Sequence, residues 1–178
     1  TAIFISPNRL FMALNTAKLG NMKMPDSAIE MALTWIETNS GTSPEDTAIA
    51  MWCRLAMRHD RNEPFLTDGA KLLTANLPAY HEAAEKGASN NYFYWFIGGL
   101  AMTYYDDRNL KTYWDNACAK AVLSAYNANK DSCLFGSCNS TIDKWGKQGG
   151  RVYATAINVL ASMCAYTDYF GPASEDGK

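Results

Sequence analysis

The chain has 178 residues, 48% hydrophobic and 19% charged, with a formal net charge of −2. That balance excludes a disordered, highly charged chain and supplies apolar surface for one substantial core. It offers no basic face for nucleic acid, and no apolar run approaches the roughly 18 residues of a membrane span.

Helical punctuation recurs along the chain, and period-two strand patterns are nearly absent. Ser6-Pro7 reads as N-cap and first-turn proline of a helix to about Leu19, with Leu10, Phe11 and Leu14 inward, stopped by Gly20-Asn21. A second helix follows Pro25, its core stripe being Ile29, Ala32, Leu33 and Ile36. Ser43-Pro44-Glu45-Asp46 resembles a capping box and opens a third helix to about His59, carrying Ala48, Met51, Trp52 and Leu55 inward. The fourth spans about Thr67 to Ala75, with Ala70, Leu73 and Leu77 toward the core, and Pro78 marks its end. Mostly loop follows to Asn91, with room for a helical turn over Tyr80–Lys86.

The fifth helix, Tyr92 to Asp106, is aromatic and contains Gly98-Gly99, a pair that costs about 2 kcal/mol against alanine and signals close approach of a neighbour. The sixth runs from about Leu110 to Tyr126, with Tyr113, Trp114, Ala117, Ala121 and Leu123 or Ser124 inward. Gly149-Gly150 hinges the chain into the seventh, Arg151 to Phe170. Here Val152, Ala156, Val159, Met163, Tyr166 and Phe170 form one apolar stripe, and Tyr153, Ile157, Leu160 and Cys164 a second. Two such stripes predict an inner-layer helix, whose small polar face, Thr155, Asn158 and Ser162, turns to the open side. The reading is all-α: a single domain, 1–178, of about seven helices in two layers. With Thr1 in first place and no charged-then-apolar leader, the chain reads as an excised or processed piece.

Of five cysteines, Cys53, Cys118 and Cys164 fall in apolar helical patterns. Cys133 and Cys138 flank a short loop and could form a disulfide, which would favour an extracytoplasmic location. No nucleotide loop, zinc helix or calcium loop is present, and no metal or cofactor is expected.

Four blocks, Thr47–Arg54, Asn76-Leu77-Pro78, Asn91–Met102 and Asp143–Ala156, together resemble the squalene-cyclase and prenyltransferase-like repeat proteins, within them a bacterial branch without an assigned role. The resemblance implies an α/α toroid, with inner helices ringing a cavity and outer helices wrapping them. Seven helices would make a partial toroid, a fragment of a longer chain. The family's chemistry is not carried over. Its glutamine and Gly-x-Trp motif is degenerate at Gly136-Ser137-Cys138. Asp106-Asp107 continues as Arg108-Asn109-Leu110, unlike an acid or DDxxD motif, and reads as a turn and helix cap. Asp131-Ser132-Cys133 matches the short part of a prenyltransferase zinc site, but His59 and His81 both precede it where the family's ligand follows.

The expectation is therefore a non-catalytic toroid-type domain binding a protein or a small apolar or sugar ligand on its concave face. Tyr94, Trp95, Tyr104, Arg151, Thr155 and Asn158 are the candidate contacts, and an oligomer is compatible. A dense aromatic set suits isoprenoid or sugar ligands, yet such a stripe at helical spacing is more often core, and Arg54 and Arg151 read first as caps or bridges between helices. The alternatives are a terpenoid-cyclase-like enzyme or lipid binder with its acid motif outside this chain, and a sugar-active toroid needing paired carboxylates.

Overall fold

The computed structural model describes residues 43–56, 60–82 and 90–166, with Met22, Lys23, Pro25, Ser27, Ala28, Glu30, Met31 and Thr34. Complete helices are α1 (Pro44–Ala56), α2 (Pro64–Ala75), α3 (Tyr92–Tyr105), α4 (Arg108–Ala125) and α5 (Gly146–Tyr166). The fold is all-α, with no strand among the described residues. Ser27, Ala28, Glu30, Met31 and Thr34 are also helical, as expected after Pro25. The stripe assigned to that segment, the Ser6–Leu19 helix and His59 lie outside the described residues.

Local chemistry sets the helix ends. Ser43 Oγ accepts the Asp46 N–H at 3.1 Å and so caps α1, while the Asp46 carboxylate accepts from the Ser43 hydroxyl and not from its backbone N–H, which makes half of a capping box. Helix α2 starts at Pro64, earlier than expected, because a proline in the first turn costs no hydrogen bond there. Asn91 caps α3 through Tyr94 N–H, and Asp107 caps α4 through the N–H groups of Asn109 and Leu110. Asp106 takes the left-handed conformation, φ 56°, that ends α3. The acid pair is a turn and a cap, as its sequence context suggested.

Helices α1 and α3 are buried nearly all round and pack extensively on each other, and α5 and α4 cover other sides of α3. Ala48, Met51, Trp52 and Leu55 are buried as expected. The Gly98-Gly99 pair serves close approach: a Cβ at Gly98 would overlap the Trp114 ring of α4, and one at Gly99 would lie 3.0 Å from Cys164 Cβ of α5. Gly150 adopts φ 66°, ψ −169°, a conformation open essentially to glycine, and breaks α5 after its first turn. Both glycine readings hold.

Three orientation readings fail. Leu77 lies past the end of α2 and is partly exposed. Tyr113 and Leu123 face outward, because only the side of α4 bearing Trp114, Cys118, Ala121 and Ala125 meets the core. On α5 the described part of the first stripe is on the surface: Val152 is 83% and Val159 54% exposed, and Ala156 and Met163 are exposed too, while the Tyr166 side chain and Phe170 lie outside the described residues. The small residues Ala154 and Ala161 are buried, with Cys118 Sγ of α4 against the Ala161 carbonyl, while Ile157 and Cys164 turn toward α3. The polar face therefore points inward, with Asn158 only 1% exposed, and α5 is not an inner helix buried on two stripes.

Candidate functional site

The aromatic run opening α3 divides two hollows. Because successive residues turn by 100°, Phe93 and Phe96 share one face and Tyr94 and Trp95 look the other way. Tyr94 and Trp95 line a polar cleft of about 300 Å³ with Glu45, Asn76, His81, Asn90, Asn91 and Lys144. Phe93 and Phe96 line an apolar groove of about 570 Å³, closed by Trp145, Gln148, Gly149, Tyr153 and Ile157 of the α5 entry.

The cleft is a junction of three distant segments. Asn90 is fully buried, and its amide clasps His81 on both sides, accepting the His81 N–H at 2.9 Å and donating to the His81 carbonyl at 2.8 Å. Its own backbone donates to Ile142 O and accepts from Lys144 N–H. Lys144 Nζ lies 2.6 Å from Glu45 Oε2, which also accepts from Asn91 Nδ2 at 2.5 Å. Below them Asp143 takes the N–H groups of Tyr92 and Trp145 on its two oxygens. Burial raises the Asp143 carboxyl, and the backbone N–H groups of Tyr92, Trp145 and Lys144 oppose that shift. Tyr94 donates its hydroxyl to Asn76 O at 2.7 Å, and burial pushes its phenol up.

The groove is different in kind. Among the described residues its rings and aliphatic carbons present no carboxylate or imidazole, and only the Gln148 amide and the indole and phenol edges can orient a ligand. Among the described residues no group of three or more His, Cys, Asp or Glu could hold a metal ion.

The residues expected at a concave site are not brought together. Tyr94 and Trp95 share the cleft, but Tyr104 is half-buried at the other end of α3, its phenol raised by burial. Arg151 clamps the preceding loop, donating to Ser137 Oγ at 3.2 Å and Cys138 O at 3.3 Å, and Thr155 Oγ1 accepts the Cys138 N–H. Asn158 donates to Ala154 O within its own helix, leaving Oδ1 without a hydrogen-bond partner among the described residues. Arg54 bridges α1 to α2, 3.6 Å from Glu63 and stacked on Phe65 at 4.1 Å. Cys133 and Cys138 are both free thiols here, Cys133 exposed and Cys138 buried, with Arg151 donating to the Cys138 carbonyl. The sequence reading missed Glu45, Asn90, Asn91, Asp143 and Lys144 at the cleft, and Phe93, Phe96, Trp145 and Tyr153 as one groove.

The chain matches no family model, no curated protein and no solved structure.

Proposed function

We propose that this is a non-catalytic helical binding domain whose ligand is a linear apolar molecule, such as an isoprenoid or acyl chain, held in the groove between α3 and α5. The observation that carries this reading is the groove itself. It is of ligand size, walled by Phe93, Phe96, Trp145, Tyr153 and Ile157, and floored by Gly149, where a side chain would collide with Tyr153. The non-catalytic part rests on the cleft. Glu45 is its only lining carboxylate among the described residues and is held by Lys144 and Asn91, so it is poorly placed to exchange a proton with a substrate. The toroid-type arrangement belongs to the same proposal, supported by the contrast between α1 and α3, buried nearly all round, and the one-sided α2 and α4.

Titrating the protein with farnesol, a linear C15 isoprenoid alcohol, and separately with cellobiose tests it by calorimetry and tryptophan fluorescence. Farnesol is expected to bind, and Tyr153→Ala is expected to weaken it by about tenfold or more, since a lost ring contact is worth at least about 1.4 kcal/mol. Binding of cellobiose alone, or farnesol affinity unchanged by Tyr153→Ala and Phe93→Ala, would overturn the reading.

A further inference from the structure

A third hollow, of about 410 Å³, lies between the strap Leu77–Tyr80 that follows α2 and the flank of α4. Its shape follows from residue size. Ala117 and Ala121 stand one turn apart on α4 and bring only methyl groups to the contact. Pro78 is the buried residue of the strap, while Leu77 stays at the rim, 37% exposed. The strap is pinned at both ends. Tyr94 donates its hydroxyl to Asn76 O just before it, and Asn90 clasps the His81 backbone just after it. Pro78 stiffens the span between these pins. The hollow is thus formed in advance of any ligand, which lowers the cost of filling it.

We propose that this hollow binds a small aromatic carboxylate, of the size of phenylacetate. Two donors of its lining have no hydrogen-bond or ion-pair partner among the described residues: the Tyr80 hydroxyl and the Lys120 ammonium. Ser124, one turn beyond Lys120, donates its own proton to the Lys120 carbonyl at 3.0 Å and offers a ligand only lone pairs. No carboxylate stands among the described lining residues. One charged and one neutral donor match the two oxygens of a carboxylate and give a cationic ligand nothing comparable. Burial raises the Tyr80 phenol, and Glu82 and Cys138 add to it, so the hydroxyl keeps its proton at neutral pH and donates. The Tyr80 ring, Pro78 and the two alanines offer apolar surface to the ligand's ring. The Lys120 stem leaves its exposed head at the wet mouth, where an ion pair needs no desolvation of the cation. None of these residues lines the α3–α5 groove, so the proposal stands whatever that groove binds.

A ligand of about ten non-hydrogen atoms in a pre-formed site reaches a Kd of about 1 mM, so amide-detected NMR titration to about 10 mM reads its binding. Phenylacetate is expected to shift the amides of Tyr80, Ala117 and Ala121, leaving those of Phe93 and Tyr153 in place. Neutral phenylacetamide is expected to bind about three- to tenfold more weakly, the share of a charge-assisted contact at an exposed cation. Lys120→Met keeps the apolar stem and removes the charge, and it is expected to erase that preference without changing the thermal melt, because the position is exposed. Ala117→Leu fills the hollow and is expected to abolish binding of both compounds, its circular-dichroism spectrum showing that the helices remain. Absence of shifts at about 10 mM overturns the proposal. Equal affinity for acid and amide overturns it too, as does an acid preference that survives Lys120→Met. Shifts centred on the α3–α5 groove, or binding retained by folded Ala117→Leu protein, place the ligand elsewhere and overturn the site.

Discussion

Asn158 and the cysteines show what individual side chains contribute. The Asn158 amide is buried, uses its nitrogen on the carbonyl one turn back, and leaves its oxygen without a hydrogen-bond partner among the described residues. A buried acceptor in that state costs about 1–3 kcal/mol, so Asn158→Leu, similar in volume, is expected to raise unfolding stability by about 1 kcal/mol. A loss of stability in urea melts would instead show that the oxygen is satisfied in solution. Thiol labelling reads the cysteines. Burial drives the Cys118 and Cys164 thiols up to about 12 and raises Cys53 and Cys138 as well, while Cys133 is exposed. The native protein is expected to react rapidly with one equivalent of Ellman's reagent at pH 8, and the denatured protein with five. A native disulfide would lower the denatured count to three. Sequence could place Cys53, Cys118 and Cys164 in the core, because each sits among apolar helical neighbours. It could not tell Cys133 from Cys138, because the backbone of Cys138 is held by Thr155 and Arg151 of α5, a long-range pairing that loop composition does not reveal.

At the scale of helices, punctuation was legible and facing was not. Gly98-Gly99 has no local reason to exist inside a helix, so a close neighbour was the economical explanation, and Trp114 and Cys164 are those neighbours. Gly98→Ala drives a methyl into the Trp114 ring and is expected to cost about 1–3 kcal/mol by overpacking, read as a shifted urea midpoint with unchanged slope. Gly150→Ala is expected to cost a similar 1–3 kcal/mol or so through backbone strain alone, because nothing lies within 4 Å of its would-be Cβ. If Gly150→Ala proved harmless, the left-handed hinge into α5 would not persist in solution. Periodicity finds apolar stripes but does not say which one meets the core. On α5 the small Ala154 and Ala161 allow α4 to approach closely, and that contact turns the larger Val152, Val159 and Met163 outward. A rule that sends the bulkiest stripe inward fails in such a case.

Across the whole molecule, the groove and the cleft depend on one polar junction that no local pattern announces. Glu45 and Lys144 are ninety-nine residues apart, and Asn90 and Asp143 meet only because α3 and the entry to α5 run side by side. The aromatic residues of α3 were visible as a cluster, but their division between two hollows follows from what this junction holds against each face. Asp143 is its acceptor hub, with one oxygen on Tyr92 N–H at the start of α3 and the other on Trp145 N–H at the turn into α5. An asparagine has one acceptor oxygen, so Asp143→Asn leaves one of these N–H groups unmet and is expected to cost about 1–3 kcal/mol. The size of that cost depends on pH with a definite sign. Burial holds the folded-state pKa of Asp143 above its unfolded value of about 3.9, so the folded chain binds the proton more tightly. The associated stabilisation is full below the unfolded pKa and is lost as pH rises through the raised folded value. The substituted amide cannot titrate, so the stability gap between wild type and Asp143→Asn is expected to be largest near about pH 4 and to narrow toward about pH 7, in paired urea unfolding curves. A gap that widened with rising pH would mean that the backbone N–H groups outweigh burial, leaving Asp143 a carboxylate stabilised in its charged form.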